Sequence, residues 1–79
     1  MNAQNIEQLI ASGLVCEHLE VTGDGRHWNA VIVSAAFAGK RLIQRHQMVY
    51  ATLGGRMATD EIHALSMKTL TPEEAQTSP

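Results

Sequence analysis

Two histidines, His27 and His63, carry the strongest claim to chemistry in this chain. Imidazole nitrogens suit iron as well as zinc and copper, and paired histidines on one iron are a known way to hold a [2Fe–2S] centre. His27 closes the turn-rich loop Gly23-Asp24-Gly25-Arg26-His27, and His63 stands near the start of the last apolar run. Two imidazoles are not a complete metal site. A structural zinc takes four protein ligands, and the sequence places no second cysteine or carboxylate motif near the pair. Such an open half-site predicts that another molecule supplies the missing ligands. The alternative is a solvated loop His27 and a His63 that hydrogen-bonds the sheet edge.

The remaining candidates have structural readings. His46 falls on the helical stripe Leu42, His46, Val49, Leu53, where a half-buried histidine with a hydrogen-bond partner is expected. Trp28 reads as a core or sheet-edge anchor that, beside His27, could also shield a site from water. Met48, Met57 and Met67 read as filler or contact surface, and Asp24 as a turn residue. Cys16 reads as a small apolar residue. One cysteine rules out an intrachain disulfide, a zinc ribbon and a CxxC redox pair. Neither a nucleophile–base constellation nor a phosphate-cradling glycine loop is present, so an enzyme is not expected.

These residues need elements to place them. Ile6, Leu9, Ile10 and Leu14 give the stripe of a helix over residues 2 to 12, with Asn2 as cap. Leu19 and Val21 alternate with Glu20 and Thr22 as a half-buried strand. The apolar run from Trp28 to Ala35 completes a hairpin with it. A second helix is expected from Lys40 to Leu53, ended by Gly54-Gly55. Ile62 to Thr69 reads as a third strand, and Thr71-Pro72-Glu73-Glu74 as one capped helical turn. The order is α-β-β-α-β, an α+β class with a three-stranded mixed sheet. Residues 1–74 form one domain and residues 75–79 a flexible tail.

Topology then sorts the histidines. A helix-containing connection from strand two to strand three suits parallel strands, which start at the same edge of a sheet. His27 and His63 are therefore expected to share that edge. Cys16 and His18 flank the start of the antiparallel first strand and belong at the opposite edge, roughly 20 Å away for a six-residue strand.

Composition sets the outer bounds. Seventy-nine residues, 44% hydrophobic and 18% charged, suit one small domain. A net charge of −2 argues against a generally basic nucleic-acid binder. The longest uncharged runs are too short to span a bilayer, and Glu7 within the first helix argues against a signal peptide. A cytoplasmic protein with no membrane role is expected.

The stretch from Phe37 to Tyr50, Phe37-Ala38-Gly39-Lys40-Arg41-Leu42-Ile43-Gln44-Arg45-His46-Gln47-Met48-Val49-Tyr50, resembles the central signature of BolA-like proteins. Ile62-His63-Ala64-Leu65-Ser66-Met67-Lys68-Thr69 resembles their last strand. His18-Leu19-Glu20-Val21 and Gly23-Asp24-Gly25 resemble their first hairpin. The resemblance covers about residues 3 to 74 and implies a fold like class II KH domains. It also implies a monothiol glutaredoxin as partner and a [2Fe–2S] cluster shared with that partner and glutathione. The family's last-strand histidine maps to His63 and its hairpin-loop ligand to His27, with the lone chain apo and monomeric or weakly dimeric.

Lys40, Arg41, Arg45 and Arg56 carry a second expectation, a nucleic-acid or partner surface along helix two. BolA relatives described as DNA-binding regulators support the DNA version. Against it stand the negative net charge and the lack of a GXXG loop between helices.

Overall fold

The computed structural model describes residues 2–55 and 63–77. Helix α1 (Ala3–Gly13) starts at the expected cap. Asn5 N–H donates to Asn2 Oδ1 at 2.8 Å, and Asn2 N–H donates to Asn5 Oδ1 at 3.2 Å. These reciprocal bonds satisfy donors that a first helical turn leaves without partners. Ile6 and Ile10 are fully buried, and Leu9 and Leu14 pack half-buried against the same core.

Strands β1 (His18–Gly23) and β2 (Trp28–Val33) form the hairpin, antiparallel from the His18–Val33 pair to the Gly23–Trp28 pair. Strand β3 (Leu65–Leu70) lies parallel to β2, with Trp28 opposite Leu65 and Val33 opposite Leu70. The sheet order is β1-β2-β3. Period-two alternation sends Val21, Trp28, Ala30, Ile32 and Leu65 into the core. There they meet α1 and, from helix α2 (Leu42–Leu53), Val49 and Leu53. The other face carries the rows His18–Val33–Leu70, Glu20–Val31–Lys68 and Thr22–Asn29–Ser66. A short helix α3 (Pro72–Thr77) follows β3. The result is an α+β fold with a mixed three-stranded sheet.

Several boundaries differ from the sequence expectation, each for a local reason. β2 stops at Val33, two residues short of Ala35, because buried Ser34 turns the chain. Its hydroxyl donates to Val15 O at 2.7 Å and accepts from Ala36 N–H at 3.2 Å. A 3-10 turn over Ala35–Phe37 then drives Phe37 fully into the core. β3 begins at Leu65 rather than Ile62; His63 and Ala64 precede it in helical and turn backbone, and Ile62 lies outside the described residues. α3 runs to Thr77, past the domain boundary expected at residue 74. Its cap is reciprocal: Thr71 N–H donates to Glu74 Oε1 at 2.8 Å and Glu74 N–H donates to Thr71 Oγ1 at 3.2 Å.

The buried stripe of α2 also starts later than the periodicity suggests. Leu42 is 64% exposed although Val49 and Leu53 on its stripe are fully buried. Arg45, one turn on, already reaches the carbonyl oxygen of Thr69, the last residue but one of β3. The first turn of α2 therefore leaves Leu42 outside the core. None of the described helices is long and apolar enough to cross a membrane.

Candidate metal-ligand edge

Backbone pairing positions the two histidines. Trp28 N–H donates to Ala64 O at 3.0 Å, and the parallel register continues from Trp28 and Leu65. His27 and His63 are the residues immediately before that hydrogen-bonded pair. Neighbouring strands lie about 4.8 Å apart, so the structure brings these two residues to one end of the sheet. Both are exposed.

The loop that presents His27 is held from inside. Asp24 Oδ1 accepts the N–H groups of Arg26 at 2.8 Å and His27 at 2.9 Å. These backbone bonds, the one from His27 foremost, hold the Asp24 carboxyl below its ordinary pKa. Asp24 N–H closes the turn onto His27 O at 3.2 Å. Gly25 supplies a φ of 92°, a conformation that costs a residue with a Cβ. Gly23 answers a different need: a Cβ there would collide with the His27 carbonyl oxygen and the Trp28 ring. Trp28 itself is 3% exposed and anchors the loop's exit in the core. The exposed His27 thus stands on a loop whose backbone is braced by Asp24.

The other sulfur and nitrogen donors are elsewhere. His18 pairs with Val33, at the far end of β2 from His27. Cys16 lies just before it, half-buried, with its thiol on Leu14 O at 3.4 Å and its pKa raised by burial. His46 is half-buried, but its Nε2 has no hydrogen-bond partner among the described residues, unlike the expected partnered histidine. Among the described residues, no three His, Cys, Asp or Glu side chains form a group that could hold a metal. His27 and His63 therefore stand as a pair.

The expected basic surface is corrected at Arg45. Its side chain is 13% exposed, and its guanidinium donates to Thr69 O at 3.1 Å, Lys40 O at 3.0 Å and Glu74 Oε1 at 2.6 Å. It also sits 5.9 Å from the centroid of the Phe37 ring. Arg45 is thus tied to α3, the end of β3 and the entrance to α2 rather than presented on the exposed basic surface. Nothing in the sequence marks it apart from Arg41, because its partners come from distant segments. Arg56 lies outside the described residues. Lys40 and Arg41 are exposed and are the expected cations that remain.

Comparison with known proteins follows the same fold. Residues 3–74 match the family described as BolA-like protein. The chain is 32% identical over 74 residues to the acid stress protein IbaG of Escherichia coli K12, covering 94% of this chain and 88% of that protein. It is 39% identical over 57 residues to the DNA-binding transcriptional regulator BolA of the same strain, covering 72% of this chain and 53% of the regulator. A bolA protein homologue from Coxiella burnetii superposes with a TM-score of 0.81 at 39% identity, covering 96% of this chain and 97% of the other. The chain belongs to the BolA-like protein family.

Proposed function

We propose that the chain is an iron–sulfur adaptor that pairs with a monothiol glutaredoxin and contributes His27 and His63 to a shared [2Fe–2S] cluster. The observation that carries this reading is the parallel β2–β3 register, which puts both exposed histidines at one sheet end. The donor set fits. Two imidazoles match the nitrogen ligation of one iron, and Cys16 is at the other end of the hairpin, so sulfur ligands come from the partner and glutathione. The cluster would supply a transferable, redox-active iron centre. The chain's own part is to hold two imidazoles on a braced loop and a strand entrance. Ligation requires the unprotonated ring, so binding weakens in acid.

Mixing the protein with a monothiol glutaredoxin, glutathione, ferrous iron and sulfide tests the reading. A coloured heterodimer that needs both proteins supports it. The second reading, a DNA-binding regulator, draws on the name of one relative. It is weakened by Arg45, whose guanidinium is already engaged. Salt-dependent DNA affinity without any coloured complex would favour that reading.

A further inference from the structure

The exposed residues Lys40, Arg41, Leu42 and Ile43 form a continuous segment at the start of α2. Leu42 is 64% and Ile43 65% exposed, two of the three large hydrophobic side chains most exposed among the described residues. Leu42 breaks the pattern of its own stripe, which is buried at Val49 and Leu53. A local rule broken without an internal gain is the kind of site where a surface serves something outside the chain. Two cations precede the two aliphatic side chains. Among the described residues neither Lys40 nor Arg41 is in an ion pair, whereas Arg45 is held by Glu74.

Its place in the fold separates it from the histidines. From the first turn of α2, Arg45 reaches Thr69 at the far end of β3, whereas His63 lies before the Leu65 end. A six-residue strand spans roughly 20 Å, so the two groups of side chains lie at opposite ends of the sheet.

We infer that Lys40, Arg41, Leu42 and Ile43 are a second protein-docking surface, which takes an acidic partner segment with aliphatic anchor side chains. Carboxylates of the partner meet Lys40 and Arg41, and its anchors cover Leu42 and Ile43. Aliphatic cover stabilises such a contact by area removed from water, and charge matching selects the partner. This inference is independent of the cluster, so failure of cluster assembly leaves it standing.

The test selects a displayed library of random peptides on the immobilised full chain. Enriched peptides are expected to combine Asp or Glu with Leu, Ile or Phe. Their affinity should fall about 10-fold or more in Leu42→Ser/Ile43→Ser and in Lys40→Glu/Arg41→Glu. It should be unchanged in His27→Ala/His63→Ala. Because the four side chains are exposed, the variants should melt close to the parent. Absence of enrichment, or peptides indifferent to both α2 variants, overturns the inference. So does an oligonucleotide that binds this surface while peptides do not.

Discussion

Replacing Arg45 with alanine should destabilise the fold, although Arg45 reads from sequence as a surface cation. The guanidinium supplies donors to Lys40 O at 3.0 Å and to Thr69 O at 3.1 Å. Hydrogen bonds from charged groups contribute about 1.5–3 kcal/mol, and a buried acceptor left bare loses about 1–3 kcal/mol. The Phe37 contact adds roughly 0.5–1 kcal/mol. The Glu74 carboxylate is half exposed, and exposed pairs contribute little. Allowing for overlap among these terms, Arg45→Ala should lose about 2–3 kcal/mol. For a domain of this size that is a fall in Tm of roughly 10–20 °C. Total stability is on the order of 4–12 kcal/mol at typical values per residue, so the loss is a large fraction of it. Urea unfolding followed by circular dichroism reads the change directly. Arg41→Ala, made in parallel, should stay within about 0.5 kcal/mol of the parent. An Arg45→Ala protein as stable as Arg41→Ala would refute the clamp and restore Arg45 to the basic surface.

Three further outcomes follow from the same contacts. Gly23→Val should cost about 1–3 kcal/mol in urea unfolding, because its side chain must displace the His27 carbonyl or the Trp28 ring. Asp24→Ala should speed amide exchange at Arg26 and His27, whose N–H groups lose their acceptor, and should hasten cluster loss from the heterodimer. The pKa of Glu74 is lowered chiefly by the Arg45 side chain and then by Thr71 N–H. A depressed carboxyl stabilises the fold above its unfolded pKa, and this is lost as pH falls through the folded value. The stability gap between the parent and Glu74→Gln should therefore shrink below about pH 4.3, the ordinary glutamate value, as followed by thermal melts across acid pH.

Where local pattern decided the structure, the sequence was readable. The Asn2 cap, the Leu19/Val21 alternation and the Thr71-Pro72-Glu73-Glu74 box each act within a few residues, and each forms in the structure. The common edge of His27 and His63 was legible because a helical connection implies parallel strands. Long-range partners were not. Ser34 ends β2 through Val15, and Arg45 is drawn inward by Thr69 and Glu74, neither of which any spacing rule near Arg45 points to. Leu42 shows the limit of periodicity: a helical stripe says which side chains share a face, not where the opposing sheet ends.

The ligand role of the histidine edge is tested most directly by the visible spectrum of the heterodimer assembled from His63→Ala and, separately, His27→Ala protein. Both side chains are exposed, so each apo variant should keep its fold by circular dichroism. The account predicts that His63→Ala abolishes the cluster spectrum and that His27→Ala alters or loses it. A parent-like spectrum from folded His63→Ala protein would contradict the assignment of this histidine edge as iron ligands.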